Sequence, residues 1–309
     1  MKDKYLVVIA GPTASGKTAT AIKVAKALGT EIISADSRQF YKELPIGTAA
    51  PTPEEQAEVQ HHMIHNLNVE DKYDVADYEQ DVLDLLKKLF VNHDTVVLTG
   101  GSGLFIDAVC KGLDSIPDIS DEVRNKVDEL YKKGGLIALQ NEVERLDPEY
   151  YNIVDKYNPR RLQRAVEVCY QTGLTYTSFR KNTVKQRDFK IVKVALLWER
   201  ADLINRINKR VDIMIKDGLI EEAKSMYHKR HLNLNSLNTV GYKEVFEHFD
   251  GKISLGEAVE NIKINTRQYA KRQMTWLRKN NDYKWFTVDE QEEMLKYINA
   301  VISGECDIQ

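Results

Sequence analysis

The sequence predicts an α/β fold with a parallel sheet, an inserted all-helical subdomain and a helical C-terminal part. Three observations lead to this prediction. A strand-like apolar run near the N-terminus is followed by a glycine-rich loop and a helical segment. Further short apolar runs alternate with helical segments, which is typical of parallel sheets. A long helical stretch separates the last two runs, which indicates a subdomain inserted between two strands of one sheet.

The first apolar run, residues 5–10, predicts a buried strand, and residues 19–28 have helical composition. The P-loop pattern G-x-x-x-x-G-K-[ST] is matched between them by Gly11, Pro12, Thr13, Ala14, Ser15, Gly16, Lys17 and Thr18. Glycines let backbone amides surround a phosphate, and the helix N-terminus adds partial positive charge. We expect Lys17 to reach the outer phosphate and Thr18 to hold Mg²⁺. The core is therefore predicted to be a nucleotide-kinase-like P-loop core that binds a di- or triphosphate.

The second strand-like run, residues 31–35, ends at Asp36. The carboxyl ends of parallel strands face the ligand crevice, so Asp36 is predicted to lie beside the P-loop. It is a candidate to ligate metal or to accept a proton from a substrate. The alternative is a plain turn-forming role before Ser37.

The third run, residues 95–99, is followed by Gly100 and Gly101 instead of an acid. A P-loop ATPase usually carries an aspartate at such a strand end, where it helps to hold Mg²⁺. This difference argues against an ATP-dependent enzyme.

The inserted segment precedes the fourth strand-like run, residues 190–198. Ser120 is expected to cap a helix that ends at Gly134-Gly135. A second helix is expected over residues 159–171, with Gly173 as its stop. No strand-like run lies in this segment, so it is predicted to be all-helical.

The C-terminal part is predicted to form helices at 201–217 and 221–229, followed by a long basic helix from Leu255. The predicted domains are a first part of the core, a helical insertion, and a second part of the core with C-terminal helices, at residues 1–111, 112–189 and 190–309.

Several further segments resemble the signature of the tRNA dimethylallyltransferases, in their bacterial form. In chain order they are Asp36-Ser37-Arg38-Gln39, Ile46-Gly47-Thr48-Ala49, Pro51-Thr52-Pro53-Glu54-Glu55, His61-His62, Val75-Ala76-Asp77-Tyr78, Gly100-Gly101-Ser102-Gly103-Leu104-Phe105, the run from Asn158 to Ala165, Val240-Gly241-Tyr242 and the run from Lys271 to Arg278. The sequence departs from the pattern twice. Ser102 replaces a threonine and keeps the hydroxyl, whereas Phe105 replaces a tyrosine and loses one.

The resemblance implies that the P-loop holds a diphosphate rather than ATP. The implied reaction moves the dimethylallyl group of dimethylallyl diphosphate to the exocyclic amine of the adenosine 3′ of the anticodon in tRNA, and releases diphosphate. The implied cofactor is Mg²⁺, held by Thr18, with Asp36 as a second candidate ligand. Such a reaction directs no water molecule at a γ-phosphate. It therefore agrees with the absence of an aspartate directly after the strand-like run at residues 95–99.

Four residues are the candidate catalytic groups. Asp36 suits a general base for the amine, and Ser102 is expected to stand near that amine. Lys17 and Arg210 are expected to neutralise the leaving diphosphate. Arg206 lies four residues before Arg210 on the same predicted helix face and is either part of this clamp or a surface ion-pair residue with Asp202 or Asp212.

The partner implied by the resemblance is the anticodon stem-loop of tRNA. The net charge of −3 is no obstacle, because residues 263–281 carry six Lys or Arg and no acid. Residues Lys263, Arg267, Lys271 and Arg278 share one helix face, although a merely solvated face is the alternative. The expected tRNA-binding residues are Asp36, Ser37, Arg38, Gln39, Ser102, Arg124, Arg160, Arg161, Leu162, Gln163, Arg164, Gly241, Tyr242, Lys271, Arg272, Trp276 and Arg278.

The target base must be extruded from its stack to reach a pocket beside the P-loop. Trp276 or Tyr242 is a candidate to fill the vacated space or to stack on a neighbouring base, and a core role is the alternative for Trp276. The helical insertion and the basic helix are expected to grip tRNA from two sides of the active site.

Composition agrees with a cytoplasmic enzyme. The chain has 42% hydrophobic and 29% charged residues, which are globular values, and no apolar run long enough to span a membrane. Its three cysteines show no zinc-finger spacing, and the N-terminus enters a strand with no room for a signal peptide. We expect a monomer. Two other functions stay open, namely prenyl transfer to a free adenine nucleotide and an ATP-dependent nucleotide kinase.

Overall fold

A computed structural model describes residues 3–181 and 183–306. One six-stranded sheet forms its centre, with the strand order β3-β2-β4-β1-β5-β6, and every pair of neighbours is parallel. The strands are β1 Tyr5–Ala10, β2 Ile32–Ser34, β3 His61–His62, β4 Thr95–Gly100, β5 Lys190–Leu197 and β6 Lys284–Thr287. The four predicted strands and the predicted α/β class are therefore confirmed, and β3 and β6 are additional.

The chain divides into two compact units, which are residues Met1–Cys110 with Arg187–Gln309 (the core unit) and residues Lys111–Gln186 (the helical unit). The helices of the core unit are α1 Lys17–Leu28, α2 Pro53–Glu58, α3 Val75–Asn92 and α4 Gly103–Lys111, of which the last residue belongs to the other unit. After the helical unit they continue as α9 Arg200–Lys216, α10 Leu219–Met226, a 3₁₀ helix Tyr227–Leu232, α11 Tyr242–Phe249, α12 Leu255–Lys279 and α13 Gln291–Ser303.

The sheet is buried on both faces, as expected for parallel strands covered by helices. Alternate residues of β1 point to opposite faces. Leu6 and Val8 pack in a cluster with Tyr78 of α3 and Ile106 of α4. Val7 and Ile9 point to the opposite face and pack in a second cluster with residues of α1 and α13. Strand β1 lies between β4 and β5, so the P-loop that follows it leaves the sheet near its centre.

The helical unit contains α5 Asp121–Leu146, α6 Pro148–Ile153, α7 Pro159–Thr172 and α8 Tyr176–Phe179 around one apolar cluster. The Ser120 side chain accepts a hydrogen bond from the Val123 N–H, so the predicted cap is confirmed. The predicted helix end at Gly134-Gly135 is confirmed for the first part of α5, because Gly135 has a non-helical φ of 62° and ψ of −155°. A second helical stretch follows directly and continues to Leu146, so α5 consists of two helices joined at a kink.

The two ends of the helical unit are adjacent. The Lys185 N–H donates a hydrogen bond to the Lys111 carbonyl, with a nitrogen–oxygen distance of 2.7 Å. Gly112 turns away with a φ of 85°, and a Cβ added there would lie 2.5 Å from the Lys185 side chain. The chain therefore enters and leaves this unit at one point.

Throughout residues 3–181 and 183–306, each helix is either too short or too polar to cross a lipid bilayer.

Candidate active site

The P-loop is built from a turn and two left-handed residues. Ala14 has a φ of 63° and Gly16 has a φ of 88°, and helix α1 begins immediately afterwards at Lys17. The helix thus starts two residues before the predicted segment, which places Lys17 and Thr18 in its first turn. The Lys17 Nζ donates a hydrogen bond to the Pro12 carbonyl over 2.7 Å, so the side chain folds back across the loop.

Two side chains hold the outer carbonyl groups of the P-loop. The Arg206 Nε donates to the Ala14 carbonyl over 2.8 Å, and the Trp198 Nε1 donates to the Ser15 carbonyl over 2.9 Å. The Arg206 guanidinium also lies 4.4 Å from the centroid of the Trp198 ring, a cation–π contact. Of the two interpretations of Arg206, the structure therefore favours a role at the loop over a surface ion pair.

Gln273 of helix α12 binds the loop on another side. Its Oε1 accepts a hydrogen bond from the Thr13 N–H over 2.8 Å, and its Nε2 donates to the Gly101 carbonyl over 2.9 Å. The Thr13 N–H is thus engaged by a side chain, and Thr13 also lines the smaller of the two cavities beside the P-loop. The role of Thr13 in phosphate binding stays a prediction.

Two adjoining cavities open beside the P-loop, with volumes of about 480 Å³ and about 80 Å³. The smaller one is lined by the predicted phosphate-binding residues Thr13, Ala14, Ser15, Gly16, Lys17 and Thr18. The larger one extends between α9 and α12. Four residues line both cavities, namely Thr13, Asp36, Thr48 and Arg210. The structure thus brings Lys17, Thr18, Asp36 and Arg210 to one place.

Asp36 follows β2, as predicted, and lines both cavities. Its Oδ1 accepts a hydrogen bond from the Arg38 N–H over 3.0 Å, so the turn-forming role and the position in the site occur together. The Ser102 Oγ accepts from the Ser37 N–H over 3.0 Å and donates to the Ser37 Oγ over 3.3 Å. Ser102 therefore fixes the segment that carries Asp36.

The electrostatics of the site are dominated by two partly buried cations and one carboxylate. Burial lowers the pKa of Lys17 to about 8, the nearby Asp36 carboxylate opposes this shift, and the Arg210 guanidinium adds to it. Burial also lowers the pKa of Arg210, against the attraction of Asp36. The Arg210 guanidinium donates to the Ala49 carbonyl over 3.3 Å. Such a pair of desolvated cations favours a polyanion as ligand.

Tyr269 of α12 lies in the larger cavity and was absent from the predicted site. Burial and the Asp36 carboxylate raise the pKa of its hydroxyl to about 12, and a hydrogen bond with Ser102 opposes this. The hydroxyl is therefore neutral at physiological pH and available to donate.

A half-buried carboxylate, that of Glu222, holds the loop that forms one wall of the cavity. The two Glu222 carboxylate oxygens accept hydrogen bonds from the Ile46 and Gly47 N–H groups, each over 2.8 Å. Glu222 also accepts from the Tyr242 hydroxyl over 2.5 Å. Tyr242 is fully buried, so the prediction that it stacks on or replaces a base is wrong.

Trp276 packs against Gly103, and its Nε1 donates to the Asp107 Oδ2 over 3.0 Å. It belongs to the apolar cluster on one face of the sheet. Of its two interpretations, the core role is the one the structure supports.

The predicted basic stripe on α12 is shorter than expected. The Lys263 Nζ lies 2.8 Å from Asp212 and 3.1 Å from Glu260, and Arg267 donates to Asn208 over 3.2 Å. Acidic and polar groups of the neighbouring helix α9 thus engage these two cations. The basic residues that α12 leaves exposed in its last part are Lys271, Arg272, Arg278 and Lys279.

In the helical unit, helix α7 carries most of the predicted tRNA-binding residues. Arg160 and Arg161 are exposed. Arg164 lies 3.7 Å from Glu167, and Gln163 donates to Asp128 over 3.0 Å. Leu162 is fully buried in the core of the unit, so a contact of its side chain with RNA is contradicted.

The remaining predicted residues are divided between the two units. Arg124 of α5 donates to the Ile119 carbonyl within the helical unit. Ser37, Arg38 and Gly241 line the larger cavity of the core unit, and Gln39 lines the smaller one. The predicted contacts of all these residues with RNA stay predictions.

Comparison with known proteins identifies the family. The sequence model of the IPP transferase family matches residues 39–280. A tRNA dimethylallyltransferase 1 of Phocaeicola vulgatus is 51% identical over 96% of this chain and 98% of that protein. The corresponding protein of Bacteroides fragilis is 48% identical over 98% of this chain and 100% of that protein.

Solved structures agree with these sequence relatives. The full-length tRNA isopentenylpyrophosphate transferase of Bacillus halodurans is 34% identical, with a TM-score of 0.72 and 98% coverage of both chains. A eukaryotic dimethylallyltransferase acting on tRNA shares the fold with a TM-score of 0.78, at 23% identity, over 96% of this chain and 78% of that one. From its sequence and its fold together, this chain belongs to the IPP transferase family.

Proposed function

We propose that the protein transfers the dimethylallyl group of dimethylallyl diphosphate to the exocyclic amine of the adenosine 3′ of the anticodon in tRNA. The observation that carries this proposal is the pair of adjoining cavities, in which Asp36 and Arg210 line both spaces. A phosphate-binding loop on one side and a larger chamber on the other suit a small diphosphate donor and a bulkier acceptor.

The smaller cavity is the proposed diphosphate site. Lys17 and Arg210 are cations there whose charged forms are disfavoured by burial, so an incoming diphosphate stabilises both. The hydroxyl of Thr18 and the carboxylate of Asp36 line the same space and are oxygen ligands of the kind that Mg²⁺ prefers. Bound Mg²⁺ would supply further charge neutralisation to the leaving diphosphate.

Asp36 is the proposed general base. In the transfer, the bond between the allylic carbon and the diphosphate oxygen breaks, and a bond from that carbon to the adenine nitrogen forms. The amine loses one proton, which the Asp36 carboxylate accepts, and the diphosphate leaves with the electron pair of the broken bond. The Tyr269 hydroxyl interacts with this carboxylate, and the Ser102 hydroxyl is hydrogen-bonded to Ser37, the residue that follows Asp36. These two hydroxyl groups are the proposed groups that orient the amine.

The larger cavity has an apolar wall that suits the five-carbon tail of the donor. Such a wall keeps water away from the allylic group while it carries positive charge during the transfer. The residues of this wall are Ile207, Val211, Met214, Leu219, Val240 and Ile262. The acceptor base needs to leave its stack to enter, which costs a few kcal/mol that contacts to the RNA backbone offset. Exposed cations of α12 and α7 are the proposed sources of those contacts.

We also propose that the acting unit is a monomer. The proposed substrate places the reaction in the cytoplasm, where tRNA matures and is used.

The proposal is tested by incubating the protein and Mg²⁺ with labelled dimethylallyl diphosphate and one of three acceptors, which are bulk tRNA, AMP and ATP. We expect label in tRNA alone, and none when the tRNA carries guanosine in place of the target adenosine. Label in AMP or ATP instead would identify a prenyltransferase for free nucleotides. Phosphorylation of any acceptor by ATP, without prenyl transfer, would overturn the proposal in favour of a kinase.

A further inference from the structure

One buried amide joins two parts of the proposed site that are far apart in the sequence. Gln273 is 6% exposed and lies on α12. Its two hydrogen bonds reach 260 residues back to the P-loop at Thr13 and 172 residues back to the turn at Gly101. The first segment belongs to the proposed donor site, and the second leads directly into Ser102.

The chemistry of this contact requires the glutamine amide. The Thr13 N–H needs a hydrogen-bond acceptor, and the Gly101 carbonyl needs a donor. A carboxylate offers only acceptors and an ammonium group only donors, so neither group satisfies both partners. The contact is also close. A Cβ added to Gly101 would lie 2.2 Å from the Gln273 Nε2, so any side chain at residue 101 would displace the amide.

We propose that Gln273 is a positioning residue that sets the spacing between the phosphate-binding loop and the turn that carries Ser102. This inference rests on the proposed function for its kinetic consequence. Prenyl transfer needs the allylic carbon, held through the diphosphate, to meet the amine within about 3–3.5 Å. The donor is fixed by the P-loop, and the acceptor is oriented beside Ser102, so a loose connection between them lowers the fraction of productive complexes.

Gln273→Met tests this role, because methionine keeps the length of the side chain and loses both hydrogen bonds. We expect the single-turnover rate constant at saturating donor and tRNA to fall about 10-fold to 100-fold. The affinity for tRNA is expected to change less than twofold, since Gln273 is buried. Gly101→Ala approaches the same contact from the other side and is expected to give the same split between rate and affinity.

The matched control is Ser236→Ala. Ser236 is also buried, and its hydroxyl donates to the Val69 carbonyl, remote from the P-loop in sequence and outside both cavities. We expect this variant to lose thermal stability with an unchanged rate constant. If Gln273→Met likewise loses only thermal stability, Gln273 has a merely structural role and the inference is overturned.

Hydrogen exchange gives a readout that does not depend on the identity of the acceptor. In Gln273→Met we expect faster amide exchange in both segments, residues 11–18 and 99–104, and no such change in Ser236→Ala. Wild-type exchange rates in both segments would overturn the inference even if tRNA proves to be the acceptor. Conversely, a wild-type protein that prenylates no tRNA, together with loosened segments in Gln273→Met, would reject the proposed function and retain the positioning role.

Discussion

Lys17 gives the most direct test of the site, because its charge depends on pH in the range of ordinary assays. Burial lowers its pKa to about 8 in the free protein. A bound diphosphate stabilises the ammonium form and raises this pKa, so binding near pH 8–9 takes up a proton. Affinity is therefore full well below pH 8 and falls as the pH rises through about 8.

The expected magnitude follows from the protonated fraction. With a pKa of about 8, Lys17 is about nine-tenths protonated at pH 7 and about one-tenth protonated at pH 9. The affinity for a ligand that needs the ammonium form thus falls about tenfold, which corresponds to about 1.4 kcal/mol. Pyrophosphate with Mg²⁺ is the probe, and its dissociation constant is measured by calorimetry from pH 6.5 to 9.5.

The matched control is Lys17→Arg, which stays charged throughout this range. Its pH profile reports the titration of pyrophosphate itself, so the difference between the two profiles isolates Lys17. Calorimetry in buffers of different ionisation enthalpy is expected to reveal more proton uptake at pH 8.5 by the wild type than by Lys17→Arg. Parallel profiles for the two proteins up to pH 9.5 would refute the assignment of Lys17 to the diphosphate.

Three further outcomes are expected. Asp36→Asn is expected to retain tRNA binding and to lower turnover by about 10²-fold or more, and wild-type turnover would exclude Asp36 as the base. Neutralising Lys271 and Arg278 together is expected to flatten the salt dependence of tRNA binding by up to about two units of slope without changing donor binding, and an unaltered slope would mean that these residues are only solvated. Arg187→Met is expected to reduce the free energy of unfolding by about 3–5 kcal/mol, because it removes the guanidinium that lies 2.8 Å from the Glu79 carboxylate. Chemical denaturation measures this loss. The double variant Arg187→Met with Glu79→Gln is expected to recover part of it.

The central strands were predictable because their residues form unbroken apolar runs, and β1 and β4 are buried along their whole length. Strand β3 has two residues, and in β6 polar and apolar residues are mixed over only four positions, so neither carries such a signal. The stop at Gly134-Gly135 was predictable as well, because glycine accepts the positive φ of 62° at which the first stretch of α5 ends. The prediction did not include the second helical stretch, which follows directly and continues to Leu146.

The candidate site shows the same division between local and tertiary information. Lys17 and Asp36 follow strand ends, so motif and position sufficed to find them. Arg206 and Gln273 were not identified as supports of the P-loop. Both bind backbone groups that are distant in sequence, and no pattern of side chains reveals such contacts. The failure at Lys263 has a related cause, since helical periodicity cannot reveal that Asp212 of another helix neutralises this cation.

The adjacent ends of the helical unit have a consequence for how the length of this chain can vary. A backbone hydrogen bond joins Lys111 to Lys185, so the segment between them is an insertion whose two ends lie side by side. A change in the length of such an insertion does not alter the distance between its ends, so the strands before and after it need not shift. The helical unit, which is the proposed RNA-binding element, can thus be enlarged, trimmed or exchanged without a change in the proposed diphosphate site of the core unit.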